Sequence, residues 1–450
     1  MKFIFADSLD YVDPNYDFLT DRSPPEREIY WDDVFPHELL GYAPYDGILV
    51  SRGIVGGMFS GKYSESQAMR FRRVGAREFL RYHEKDYPNS LVFGDCGAFT
   101  YHKMTEPPFT AEDTVDFYGD GRFTHGCSVD HIIFAFEVLS TSEEKSKANS
   151  NLPGDIENRR RYELTLSNAR EFLERSQRLG NQFTPVGVIQ GWSPLSMASA
   201  ANELVSMGYQ YLAVGGMAPL KAHQIHIVLD AIRDEIGEKP QLHILGFAKA
   251  DQITEFLRHK LSSFDTTSPL IRAFKDTRYN YFMPSDGKKL EYFTAIRIPQ
   301  ALENNALMRL VKEGAYSQED LQNRESTALD LVRAYDRNEA AMEEALDAVI
   351  HYNKALIFGR DNGLTDRDKK KIDAVRERTA RTLSARPWKY CDCNICQSIS
   401  IDVVIFRASN RNKRRGIHNL AVYGKHIAQL ESHPLNDTES EFQSDQSAAE

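Results

Sequence analysis

The sequence predicts an α/β protein: a (β/α)8 TIM-type barrel with a helical insertion and a C-terminal structural zinc subdomain. Three observations predict it. β-rich runs alternate with amphipathic stretches from residue 46 to 285. Strand signals then stop from about 300 to 385. Beyond them, Cys391, Cys393, Cys396 and His418 fall at metal-ligand spacing.

The runs are DGILVSRG (46–53), SLVFGDCGAF (90–99), DHIIFAFE (130–137), TPVGVIQG (184–191), YLAVGG (211–216), QLHILGF (241–247) and SSFDTTSP (262–269). KFIFA near the N-terminus supplies a possible eighth. Repeated alternation of strand and helix implies parallel strands joined by crossover helices. Between the runs, residues 156–180 place Tyr162, Leu166, Ala169, Phe172 and Leu173 at helical spacing. Residues 193–208 open on Ser-Pro and close on Gly, the signals of a helix start and stop. SQEDL (317–321) reads as a capping box, and Met342, Leu346, Val349 and Ile350 mark one apolar helix face. The organisation expected is an N-terminal segment (1–45), the barrel (46–285), a helical insertion (286–385), a zinc-binding subdomain (386–425) and a disordered acidic tail (426–450).

With 41% hydrophobic and 27% charged residues, the composition is that of a globular protein. No apolar run approaches the roughly 20 residues that span a bilayer, so no membrane partner is expected. The opening MKFIFADSLDYVD lacks the basic and apolar regions of a signal peptide, and a cytoplasmic protein is expected. Net charge is −10, yet residues 366–415 carry 14 Lys/Arg against 6 Asp/Glu. A basic region on an acidic body fits a polyanion partner, or a solvated helix face. The five cysteines are odd in number with three clustered, which suits a metal better than a disulfide framework. Three thiolates and one imidazole close a tetrahedral zinc shell, so such a site is structural: it pins a loop and leaves no position for water.

These residues resemble a known family. C-x-C-x2-C with a distant His-Asn-Leu is similar to the zinc motif of the queuine/archaeosine tRNA-guanine transglycosylases, which are zinc-bearing (β/α)8 barrels. FGDCGAF (93–99), FAFE (134–137), GVIQG (187–191), AVGGMA (213–218), HILGFAKADQI (243–253) and FDTTSPLIRAFKDTRYNYF (264–282) resemble its other motifs, in order. The opening segment and the 300–385 stretch look like the DNA-guanine transglycosylase branch. Only residues 419–450 follow His418, so the RNA-binding PUA module of archaeal members is not expected.

The resemblance implies base exchange at C1′ of a nucleotide in a polynucleotide. Asp265 is then the nucleophile that forms a covalent sugar–enzyme intermediate, and Asp95 the general acid/base. Read alone, Asp95 is equally a turn residue before Gly, and Asp265 a strand-end cap. The same resemblance assigns base reading to Glu137 and Gln190, close backbone approach to Gly215 and Gly216, and stacking to Phe99 and Leu245, which read alone are ordinary core residues. Arg278, Arg411, Lys413, Arg414 and Arg415 are the expected nucleic-acid contacts, and the basic stretches 366–390 and 407–416 flank the zinc loop. The expected function is exchange of guanine in DNA for 7-cyano-7-deazaguanine (preQ0). Alternatives are tRNA-guanine exchange and a non-catalytic partner subunit. No G-x4-G-K-[ST] loop occurs, so any ATP-driven opening of the duplex would fall to a separate ATPase.

Overall fold

In the computed structural model, which describes residues 1–7, 9–56, 61–247, 249–285, 289–358 and 365–432, eight parallel strands close into a barrel in sequence order. They are β1 (Lys2–Ala6), β2 (Gly47–Ser51), β3 (Leu91–Asp95), β4 (His125–Cys127), β5 (Thr184–Ile189), β6 (Tyr211–Val214), β7 (Gln241–Ile244) and β8 (Ser263–Thr266). Strand β1 closes the ring, with Ile4 in register with Gly47 on one side and Asp265 on the other. KFIFA is therefore a barrel strand, and the barrel starts within the segment 1–45 rather than at residue 46. Ile4, Leu49, Phe93, Val186, Val188, Tyr211 and Ala213 form the inner packing cluster. Alternate strand residues face the helices instead, which is why these strands read as continuous apolar runs.

The helix expected over 193–208 runs Pro194–Met207; the Ser193 hydroxyl accepts from the Ser196 N–H, and Gly208 ends it at φ 115°. The stretch 156–180 yields the helix Pro153–Ser176. The fourth strand departs from expectation. It is His125–Cys127, in register with Phe93 and Val186, not 130–137. The apolar run after it is buried as a loop: Ile132 packs on Cys96, Ala98 and Tyr101.

Beyond the barrel, β9 (Tyr281–Pro284) and β10 (Leu290–Phe293) pair antiparallel, and β11 (Ile296–Arg297) pairs in parallel with β12 (Ile405–Phe406). The stretch 286–385 thus opens with strands before its helices Asn305–Lys312, Gln318–Asp336, Met342–Phe358 and Asp366–Ala385. Ser317 caps the second of these by accepting from the Asp320 N–H. A long helix, Ser409–Ser432, occupies the start of the segment expected as a disordered tail; residues 433–450 lie outside the described residues. Among the described residues no helix is long and apolar enough to cross a membrane.

Candidate active site and metal centre

Asp265 is buried at the end of β8. One oxygen, Oδ1, accepts from the Gly246 N–H at 2.9 Å and lies 3.1 Å from His243 Nε2. A carboxylate only accepts, so His243 must carry its proton on Nε2. In the neutral ring Nδ1 is then an acceptor, and it lies 2.6 Å from Ser263 Oγ. Ser263 donates to it and in turn receives the Tyr211 hydroxyl at 2.5 Å. With a neutral imidazole these contacts form a buried relay, Tyr211 to Ser263 to His243 to Asp265. Burial pushes the Tyr211 phenol up to about 12, so it keeps its proton as a donor. Phe93 stacks on the His243 ring at 4.6 Å and fixes its plane.

Asp95 ends β3, in register with Ser51 at the end of β2. It keeps partial access to solvent, while protein encloses the rest of the carboxyl. Burial, and then the neighbouring Asp130 carboxylate, push it up to about 7; Asp265 adds to the rise, and the Gly97 N–H and Ser51 hydroxyl oppose it. Three carboxylates therefore converge at the C-terminal ends of the strands, where barrel active sites are built. Asp95, held at about 7, can give or take a proton near neutral pH.

Asp130 is the residue that sequence reasoning missed. It is buried, accepts from Gln190 Nε2 at 2.6 Å, and receives the Cys96 thiol at 2.8 Å. Burial raises its carboxyl, and these two donors oppose the rise. Gln190 Oε1 takes the Ile133 N–H at 3.2 Å, which fixes the orientation of the amide. A Cβ on Gly215 would stand 2.3 Å from Gln190 Nε2, so only glycine leaves room for this amide. The Gly215 N–H is held by Ile189 O in the sheet, while Gly216, at φ 75°, turns the chain out of β6.

Glu137 does not join this group. Its side chain is half exposed and pairs with Lys147 at 2.6 Å. The expected strand end at 137 lies ten residues past the real one at Cys127, and the position facing the site falls on Asp130 instead. Phe99 is 66% exposed with Phe134 packed edge-on at 6.2 Å, so it is a surface aromatic rather than core. Leu245 is half-buried against the inner barrel cluster.

Cys391, Cys393, Cys396 and His418 are all buried, with their ligand atoms within 4.8 Å of one another. His418 Nδ1 lies 3.5, 3.4 and 3.3 Å from the three sulfurs. A tetrahedral site with zinc-like bond lengths has sulfur–nitrogen edges of about 3.6 Å, so the four atoms fit one ion. His418 Nε2 donates to Phe282 O at 2.8 Å, which leaves Nδ1 free to ligate. Tyr281 stacks on the ring at 4.1 Å and its hydroxyl lies 3.2 Å from Cys396 Sγ. The adjacent Asn419 holds the same strand, accepting from the Phe282 N–H and donating to Asn280 O and Pro269 O. The cluster therefore fastens β9 and the long C-terminal helix together.

The basic run 407–415 faces inward, contrary to expectation. Arg411 is fully buried between Asp21, Asp402 and Phe18 O. Arg414 donates to Asp13 O at 2.6 Å, and Lys413 to Tyr11 O at 3.0 Å. Arg415 is fully buried among the carbonyls of Val403, Ile405 and Ala273, and burial lowers it to about 9. Arg411, Lys413 and Arg414 clamp the N-terminal segment to the C-terminal helix that carries His418, Arg415 is held by carbonyls, and none is available to phosphates. Arg278 alone of the expected contacts is exposed.

A barrel with converging strand-end carboxylates beside a Cys3His cluster defines a class, the guanine transglycosylases, enzymes of the glycosyltransferase group. Comparison with known proteins supports this. No protein-family model matches the chain. It is 38% identical over 426 residues to a DNA-guanine transglycosylase of Salmonella montevideo, covering 94% of this chain and 95% of that one. It is 27% identical over 127 residues to queuine tRNA-ribosyltransferases of Pasteurella multocida and Haemophilus influenzae, covering 28% of this chain and 32% of each. The chain belongs to the DNA-guanine transglycosylase family.

Proposed function

We propose that the protein exchanges guanine in DNA for preQ0 through a covalent aspartyl–sugar intermediate. The observation that carries the chemistry is Asp265, a buried carboxylate with one oxygen fixed by His243 and Gly246. Its other oxygen, Oδ2, attacks C1′ as the C1′–N9 bond breaks, and the bond electrons leave with the guanine. Asp95, raised to about 7 by burial and Asp130, donates the proton that neutralises the departing base. The incoming base then loses a proton to the Asp95 carboxylate, attacks C1′ and releases Asp265. Oxocarbenium-like character at C1′ suits two carboxylates with different proton occupancy.

Asp130 and Gln190 read the base: Asp130 accepts from N1–H and the 2-amino group, and Gln190 addresses O6 or N7. Asp130 takes the part expected of Glu137, which pairs with Lys147 instead. Phe99 and Leu245 cover the two faces of the base, and Gly216 lets the backbone approach it. Zinc is the ion that best fits three thiolates and an imidazole, and its part is structural. DNA is preferred to tRNA because likeness to the DNA enzyme runs along nearly the whole chain. The presence of both Asp95 and Asp265 favours an enzyme over a non-catalytic subunit.

The test is nucleoside mass spectrometry of DNA and tRNA from cells supplied with preQ0, with intact protein and with Asp265→Asn. A deazaguanine nucleoside in DNA that vanishes in the variant is expected. The nucleoside in tRNA alone would overturn the choice of DNA. A persisting signal in the variant would overturn the nucleophile.

A further inference from the structure

A second basic group lies apart from the arginines that clamp the N-terminal segment. A cavity of about 900 Å³ lies between the helix Asp366–Ala385 and the strand region 277–297. Arg367, Lys370, Lys371 and Arg378 line it from the helix, and Arg278 and Arg297 from the strand region. Among the described residues, Asp366 is the single acid in its lining. All but Arg378, which is half-buried, are exposed.

The partners of these cations separate them from the other basic residues of the same helix. Arg376 reaches Asp347 at 2.6 Å and Arg381 reaches Glu291 at 2.8 Å, so both are tied to neighbouring elements. Lys371 has Asp368 at 3.2 Å. Among the described residues, no carboxylate lies within ion-pair distance of Arg278, Arg297, Arg367, Lys370 or Arg378. Five cations without an ion-pair partner among the described residues ring one concavity and repel one another, and an anion relieves that repulsion.

We infer that this groove grips the sugar–phosphate backbone of the DNA substrate. The inference rests on the reading of the barrel as a DNA base-exchange site. Positions 367, 370, 371 and 378 fall on one helix face. At 1.5 Å rise per residue they form a track of about 16 Å. That track is longer than the phosphate chain of a mononucleotide and matches successive phosphates of a strand. The bases need not enter it, since backbone contacts position the nucleic acid without reading sequence.

The experiment measures binding of a fluorescein-labelled 30-base-pair DNA duplex to the full-length protein across a salt series. It compares wild type with the triple variant Arg367→Gln, Lys370→Gln, Arg378→Gln, and measures base exchange at saturating DNA alongside. Among the described residues these side chains have no ion-pair partner to lose, and a matching thermal transition verifies the fold. Removal of three phosphate contacts should lower the slope of log affinity against log salt by about 2.7 and weaken binding roughly tenfold or more at low salt. Exchange at saturating DNA should be retained. An unchanged affinity and slope overturns the groove and leaves the base-exchange reading standing. Weaker binding by the variant in a protein that exchanges no base in DNA supports the groove and overturns that reading. Displacement of the duplex by ATP at near-stoichiometric concentration overturns the inference in favour of a mononucleotide site.

Discussion

Asp95→Asn tests the electrostatics of the site without substrate. The carboxyl is held at about 7 against an ordinary 3.8, and the largest cause is burial, followed by Asp130. A displacement of about 3 pH units corresponds to about 4 kcal/mol of differential interaction. A group whose folded value is raised contributes stability that is fully present below its unfolded value and is lost as pH rises through the folded one. Wild-type stability should therefore fall between pH 5 and pH 8 through this group, and the Asn side chain, which cannot ionise, should not share that loss. Integrated over that window the difference is about 3 kcal/mol, or about 2–3 kcal/mol once partial solvent access is allowed for. Asp7, also held at about 7, titrates in both proteins and cancels. Urea denaturation at pH 5.0 and 8.0 measures it: the advantage of the variant over wild type should widen with pH. A constant gap would mean that Asp95 ionises like a surface carboxylate. The acid role would then lose its physical basis, whatever the activity of the variant.

Asp130→Asn should lower kcat/KM for exchange by about 100-fold or more, because a buried acceptor for the base edge is lost, whereas Glu137→Gln should leave it within about twofold; steady-state exchange assays on both compare them, and equal losses would restore Glu137 to the site. Arg411→Met should destabilise the fold by about 1–3 kcal/mol, read by urea denaturation: Phe18 O and one bond to each carboxylate are lost, while Asp21 keeps Arg407 and Asp402 keeps Arg333. A double-mutant cycle with Asp21→Asn should show coupling between the two positions, and strictly additive losses would assign Arg411 a different role. Tyr281→Phe removes the hydroxyl beside Cys396 while keeping the ring stacked on His418. It should weaken zinc about 10–100-fold in chelator competition, and an unchanged affinity would detach Tyr281 from the metal.

Much of this arrangement is legible in the chain. Asp95 and Asp265 stand at the ends of apolar runs whose strand character is plain, and a strand end in a barrel is a site position. The Cys3His set is legible because three thiols within six residues have few other uses in a reduced chain. Asp130 is not, because the apolar run after it imitates a strand; its hydrophobicity comes from Ile132 packing on Tyr101, and the true strand before it contains only three residues. His243 reads as a core residue of β7. The signal that could have found it is register: it lies opposite Ser263, and Ser263 shares a strand face with Asp265. The run RASNRNKRRG reads as a surface patch because its partners, from Tyr11 to Asp21, lie about 400 residues earlier. No local pattern announces a pairing over that distance.

That distance also bears on how the protein is made. Ribosomes add about 5–20 residues per second, so Asp21 is synthesised some 20–80 s before Arg411. During that interval β1 waits for β8 to close the ring, and the carboxylates near the N-terminus wait for their cations. The nascent chain must carry an unpaired apolar strand edge until β8 emerges, and unpaired carboxylates in its opening segment until the last helix does. Contacts so remote in sequence are slow to form. Completion of the C-terminal helix is thus the step that locks the segment after β1, and a ribosome that stalls before residue 411 would release a barrel with that opening segment unsecured.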